Sequence, residues 1–186
     1  MKNIEMTYEI VISGFGGQGV LSMGKILAYS GLMESKEVSW MPSYGPEQRG
    51  GTSNVTVIVS DETVSSPVVN LYDIVIALNQ PSLDKFAPRV KKGGILIYEP
   101  NGIHTMTDRK DIQIYEVDAT AESLKLGNDK SFNMIILGGL LKVAPVVKLE
   151  SVITGLKKSL PERHHKLIPM NEEAINIGMS VIKQIN

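Results

Sequence analysis

The chain of 186 residues contains no cysteine. Disulfides, a cysteine nucleophile, Cys-ligated zinc and Cys-ligated iron–sulfur clusters are thereby excluded within it. A cysteine-free chain suits a reducing compartment, so a cytoplasmic location is expected. There is no excess of charge of either sign: 19 Lys plus Arg stand against 20 Asp plus Glu, a formal net charge of -1. A broad phosphate-neutralising surface is not expected, and with it no nucleic-acid partner. No apolar run reaches the roughly 18 residues of a membrane helix. The longest candidate, Met134 to Val147, is broken by Gly138, Gly139, Lys142 and Pro145. The opening MKNIEMTYEI holds two glutamates and no apolar stretch, so no secretory leader and no membrane association are expected. Internal repeats, low-complexity tracts and linkers are also missing.

What is present is an ordinary globular balance of 42% hydrophobic and 21% charged residues, which excludes disordered, collagen-like and mucin-like chains. The length suits a single domain over residues 1–186. Short apolar runs at Tyr8–Ser13, Glu37–Pro42, Asn54–Ser60, Asp73–Leu78, Ile95–Tyr98 and Ile112–Val117 read as strands. Helical spacing appears at Val20–Met33, Pro81–Val90, Ser131–Val143, Glu150–Leu160 and Glu172–Ile185. Lys91, Lys92 and Gly93 are expected to close the second of these, and Asn171 to cap the last. Gly138 and Gly139 weaken a helix by about 1 kcal/mol each, which makes sense if another backbone packs against them. Strands alternating with helices predict an α/β fold. The expectation is a Rossmann-like, three-layer α/β/α domain with a mostly parallel sheet.

Gly14, Gly16 and Gly19 form G-x-G-x-x-G between a strand and a helix. Such a turn lets backbone approach a phosphate and presents free N–H groups at the helix start. It also serves as a tight crossing with no ligand. A dinucleotide site further wants a carboxylate at the end of the second strand, where this chain has Met41, Pro42, Ser43 and Tyr44. Gly19, Gly24 and Lys25 mimic a P-loop. Ile26 stands where the Mg²⁺-binding hydroxyl belongs, so a nucleoside triphosphatase is not expected.

Ser43–Gly51 (SYGPEQRGG) concentrates Tyr44, Glu47, Gln48 and Arg49 between glycines. A guanidinium fork suits phosphate or carboxylate, an amide suits a hydroxyl, and a phenol covers an apolar face. The same residues also fit a turn carrying a surface Glu47–Arg49 ion pair. Asn79 and Gln80 follow a strand directly and lie where open sheets bind ligands. They also fit a cap and turn before Pro81. Adjacent His164 and His165 diverge and lack a third ligand for a metal, His104 stands alone, and Asp108, Asp111 and Asp118 read as surface charge. The methionines read as core or interface filling.

Gly14-Phe15-Gly16-Gly17-Gln18-Gly19-Val20, followed by Tyr44-Gly45-Pro46-Glu47-Gln48-Arg49-Gly50-Gly51, resembles the gamma subunit of 2-oxoacid:ferredoxin (acceptor) oxidoreductases. Ala77–Ser82 and the Asn133–Leu141 helix are similar too, so the resemblance covers nearly the whole chain. It implies a non-catalytic α/β subunit of an enzyme that decarboxylates a 2-oxoacid on thiamine diphosphate. Electrons pass through iron–sulfur clusters toward ferredoxin, and an acyl-CoA forms. It further implies alpha and beta partner subunits, with a ferredoxin-like delta subunit as a further candidate. Thiamine diphosphate, Mg²⁺ and the clusters would sit on those partners, and this chain would hold no cofactor of its own. CoA, a co-substrate, would meet a surface drawn from Gly14, Gly16, Gly17, Gln18, Gly19, Tyr44, Glu47, Gln48, Arg49, Asn79 and Gln80. Trp40 to Glu47 looks most like the 2-oxoglutarate type, whereas an indolepyruvate type would more often carry His and Ser here. The alternative is a stand-alone Rossmann-like nucleotide-binding module.

Overall fold

The apolar run at Tyr8–Ser13 becomes the middle of β1 (Thr7–Phe15), whose residues Ile10, Val11 and Ile12 are fully buried. A strand apolar on both faces belongs inside a sheet covered on both sides. The computed structural model describes residues 6–44 and 51–186. Beside β1 run β4 (Tyr72–Ala77), β5 (Val90–Tyr98) and β6 (Gln113–Glu116), all parallel to it. On the other side lie β3 (Thr52–Ser60) and β2 (Glu37–Tyr44). The seven-stranded order is β2-β3-β1-β4-β5-β6-β7, with β7 (Lys183–Gln184) antiparallel to β6.

The expected strands are all present, but β3 runs antiparallel to both β1 and β2. Only residues 45–51 separate β2 from β3. That is too short for the crossover of a dozen or more residues that a parallel pair needs.

Helices α1 (Val20–Met33), α3 (Ala119–Lys125), α4 (Phe132–Val143), α5 (Leu149–Ser159) and α6 (Ile168–Val181) cover one face. Met23, Leu27, Ile135, Leu156 and Ile175 pack there against Ile12, Val57 and Ile76. The short α2 (Gln80–Phe86) covers the other face, through Leu83 and Phe86 against Val11, Val75 and Leu96. The result is the expected three-layer α/β/α arrangement, with most of the helical mass on one side. Among the described residues no helix is long and apolar enough to cross a membrane.

Four local expectations are corrected. The helix over Pro81–Val90 stops at Phe86, because Pro88 cannot donate to the helical ladder. A 3-10 turn covers Ala87–Arg89 and Val90 already belongs to β5. Lys91 therefore closes no helix. Its ammonium joins Asp73 at 2.8 Å and Glu9 at 2.7 Å across neighbouring strands. Burial lowers the Lys91 pKa, but these two carboxylates outweigh it and raise the group above its ordinary value. The last helix starts at Ile168, with Pro169 in its first turn, so Asn171 lies inside it and caps nothing. Finally, Asp118 is not idle surface charge. Its carboxylate accepts from Ala121 N at 3.0 Å and caps α3, a helix the periodicity did not reveal.

The chain's last residues tie back to the sheet. Tyr98 donates to Glu116 at 2.5 Å, and Lys183 reaches the same carboxylate at 2.7 Å. Burial, then the Glu116 bond and charge, push the Tyr98 phenol well above its ordinary value. The folded chain thus holds this proton more tightly than the unfolded one, whose phenol titrates near 10. The linked stability is complete below about pH 10 and is lost as pH rises beyond it. Urea unfolding at pH 9 and pH 11 is expected to show this alkaline loss, and Tyr98→Phe to flatten it. An equal loss in the variant would assign it to other groups.

Candidate functional site

The direction of winding changes between β1 and β4. From β1 the chain passes through α1 to β2 on one side; from β4 it passes through α2 to β5 on the other. Open α/β sheets bind ligands at the carboxyl ends of the strands beside such a switch point. The glycine turn, Asn79 and Gln80 all lie on this rim, as their positions after β1 and β4 require.

The turn is built tightly. Gly17 and Gly19 take positive φ angles of 103° and 76°, which L side chains rarely adopt. Gly19 is the N-cap of α1 and has Asn133 of α4 against it; a Cβ there would lie 2.5 Å from Asn133 Nδ2. Gly16 N donates to Gly51 O at 3.1 Å, which joins the turn to the start of β3. Gln18 folds back into the switch-point crevice. Its Oε1 accepts from Phe15 N at 2.6 Å and its Nε2 donates to Leu78 O at 3.2 Å. Gly14 lies beneath this amide, and a Cβ on it would come within 2.5 Å of Gln18 Oε1. Gly19 is thus required by its φ angle and its neighbour together, whereas a Cβ on Gly14 would displace the Gln18 amide.

Asn79 and Gln80 are held by the protein itself. Asn79 Oδ1 caps α2 by accepting from Ser82 N at 2.9 Å, while its buried Nδ2 has no hydrogen-bond partner. Gln80 Oε1 accepts from His104 N and Thr105 N, at 2.7 and 2.9 Å. Its Nε2 donates to Asp84 at 2.7 Å and to Thr105 O at 2.9 Å. Gln80 therefore clamps the segment after β5. Tyr44 ends β2, its backbone opposite Ser53. Glu47, Gln48 and Arg49 lie outside the described residues.

Beside the turn opens a cleft of about 510 Å³, lined by Gly17, Gly19, Thr120, Ser123, Lys130 and Asn133. The N–H groups of Gly17, Gly19, Val20 and Leu21 find no backbone acceptor among the described residues, as expected where a helix begins. Lys130 makes no ion pair among them, and Asp129 adds one carboxylate to the wall. A second hollow of about 770 Å³ shares Lys130 and Asn133 with the first and continues over Ile26, Met134, Leu156 and Leu160. The pair offers donors and a cation at one end and apolar surface at the other. Among the described residues no three His, Asp or Glu are placed to hold a metal ion.

Sequence reasoning passed over the residues opposite the turn. Glu99 directly follows β5, much as Asn79 comes two residues after β4, and is only 2% exposed. It accepts from Asn101 N at 3.0 Å and Asn101 Nδ2 at 2.8 Å, and its contact with Thr120 N is 3.4 Å. Its place at a strand's carboxyl end was the available signal. Lys130 and Asn133 carried none, because their approach to Gly19 depends on how α4 crosses α1. The acidic residue sought at the end of β2 was also the wrong test. Strand β3 lies between β2 and β1, so a carboxylate there would be displaced from the switch point.

An open sheet with helices on both faces and a glycine turn at its switch point defines a doubly wound α/β protein. Within that class, residues 9–181 match the pyruvate ferredoxin/flavodoxin oxidoreductase family, and the chain belongs to it. It is 32% identical over 189 residues to the 2-oxoglutarate synthase subunit KorC of Methanocaldococcus jannaschii, covering 99% of this chain and 98% of that one. It is 36% identical over 176 residues to the ketoisovalerate oxidoreductase subunit VorA of Methanothermobacter marburgensis. That match takes in 94% of this chain but only 35% of VorA, so the chain spans about a third of the length of that relative. In three dimensions it is similar to the gamma subunit of a keto/oxoacid ferredoxin oxidoreductase from Geobacter sulfurreducens. The TM-score is 0.81 at 28% identity, covering 95% and 96% of the two chains. The resemblance read from the glycine motifs, and the fold expected with it, are borne out.

Proposed function

We propose that this chain, acting as one domain, is the gamma subunit of a multi-subunit 2-oxoacid:ferredoxin oxidoreductase that converts 2-oxoglutarate to an acyl-CoA. The observation that carries this reading is the end-to-end correspondence with KorC, in length as well as in sequence. The chain supplies no catalytic group. With no cysteine it has no thiolate to ligate the clusters. On the family reading these, thiamine diphosphate and Mg²⁺ sit on alpha and beta partners, with a ferredoxin-like delta subunit as a further candidate. Its contribution is a wall for CoA. The donor-rich cleft beside Gly17 and Gly19 suits the phosphates, and the hollow over Ile26 and Leu156 suits the less polar arm. Trp40 and Met41, each 39% exposed on the edge strand β2, offer apolar surface for a partner to cover.

Co-expression with candidate alpha and beta chains tests the reading. The expected result is a stable complex that reduces ferredoxin with 2-oxoglutarate and CoA, faster than with 2-oxoisovalerate or pyruvate. The isolated chain is expected to be colourless, inactive with 2-oxoacids and without micromolar affinity for NAD, FAD or ATP by calorimetry. Preference for another 2-oxoacid would overturn the substrate assignment alone. Failure to assemble, together with micromolar nucleotide binding, would favour the stand-alone nucleotide-binding module.

A further inference from the structure

We infer that Gln18 is a positioning residue, whose side-chain amide fixes the glycine turn as one wall of the cleft and keeps the switch-point crevice closed to ligand. The inference rests on the proposal that CoA uses this cleft. Gln18 is part-buried, yet both ends of its amide are engaged by main chain at the ends of two different strands. Oε1 takes the N–H of Phe15 at the end of β1, and Nε2 gives to the carbonyl of Leu78, the residue just after β4. The amide thus spans the gap between these strand ends. A ligand entering there would have to displace two hydrogen bonds at once. The room for this amide comes from Gly14, where a Cβ would strike Gln18 Oε1.

The consequence reaches the cleft through the backbone. Gln18 N also donates to Phe15 O at 3.2 Å, so side chain and main chain of one residue close the same short loop on Phe15. Gly16 is then held with its N–H on Gly51 O, away from the cleft. The N–H groups of Gly17, Gly19 and Val20 are left as donors where Lys130 and Asn133 converge. Without the amide, the Gly16–Gly17 turn loses the side-chain bond that ties it to Leu78, and glycine backbone samples many conformations. The donors would no longer be held in one geometry, and binding would bear the cost of ordering them.

Two substitutions separate this role from a general effect on folding. Gln18→Ala removes both bonds. Gln18→Glu keeps the shape and the bond from Phe15 N, loses the donation to Leu78 O, and adds a negative charge beside an anion site. In the assembled oxidoreductase with CoA varied, Gln18→Ala is expected to raise KM for CoA about tenfold, one lost or misdirected hydrogen bond's worth. Gln18→Glu should raise it further, with the change in KM exceeding that in kcat for both. Subunit incorporation and the urea midpoint of each variant show whether the fold survives. Lys130→Ala is the companion variant, since it removes a cation from the cleft without touching the turn. If Lys130→Ala raises KM for CoA while both Gln18 variants stay within twofold of native, the positioning role is overturned and the cleft stands. If all three are silent, the cleft itself is overturned and the role of Gln18 with it. A fall in kcat or in complex yield with no rise in KM would reduce Gln18 to a structural residue.

Discussion

Gly138→Ala is expected to destabilise the fold by about 3 kcal/mol, although alanine is the better helix former by about 1 kcal/mol. Helices α4 and α6 cross at a pair of glycines. A Cβ on Gly138 would collide with the carbonyl group of Ile175, and a Cβ on Gly178 with that of Ile135. Both obstacles are helix backbone, which cannot rotate away as a side chain can. The helices must separate, and Ile135 and Ile175, both fully buried, lose their packing. Gly139 is the internal control. The atoms nearest a Cβ there belong to the side chains of Val117 and Ile182 rather than to backbone, so Gly139→Ala is expected to cost less. Urea unfolding reads the difference directly, and the melting temperature of the Gly138 variant should drop by roughly 10 °C. In the double variant with Gly178→Ala the losses should not add, since helices already parted admit the second methyl more easily. Equal losses at Gly138 and Gly139 would mean that the crossing tolerates separation.

This crossing shows which parts of the molecule were legible beforehand. Two adjacent glycines inside an apolar helix are a local conflict, and the conflict announces a close neighbour. Strands such as Tyr8–Ser13 and Asp73–Leu78 were equally plain, because apolar runs of that length need cover on both faces. The antiparallel β2–β3 pair was readable too, had the short connection been weighed against the length of a crossover. Less accessible were features fixed by chain path. Nothing in the pattern around Asp118 separates a capping carboxylate from a solvated one until α3 and Asn101 are in place. The glycine motif was legible as a turn but not in its purpose. Its spacing is the same whether the space over Gly14 holds a phosphate or, as here, the amide of Gln18.

The buried carboxylate of Glu99 organises the far wall of the cleft, and Glu99→Ala is expected to cost about 3 kcal/mol. Glu99 has no cationic partner among the described residues; its contacts are N–H groups. Bonds to Asn101 N and Nδ2 hold the 3-10 turn at Pro100–Gly102, and the longer contact to Thr120 N reaches the first turn of α3. Asn101 Nδ2 also donates to Asp118 at 3.0 Å, so one amide links Glu99 to the cap of α3. Truncation removes the two shorter bonds from Asn101 N and Nδ2, and a hydrogen bond to a charged group contributes about 1.5–3 kcal/mol, part of which exposed Asn101 recovers from water and from Asp118. Glu99→Gln is isosteric but has one acceptor oxygen instead of two. Its NH₂ must face a donor on one side, so about half the loss is expected. Because Thr120 and Ser123 line the cleft, the displacement of α3 should, if the cleft serves CoA as proposed, also weaken CoA use in the assembled enzyme beyond what the stability change explains. Urea unfolding of the three proteins, followed by CoA kinetics at a temperature where all remain folded, separates the two effects. A Glu99→Ala chain within 1 kcal/mol of native would show that solvent replaces the carboxylate and that the wall does not depend on it.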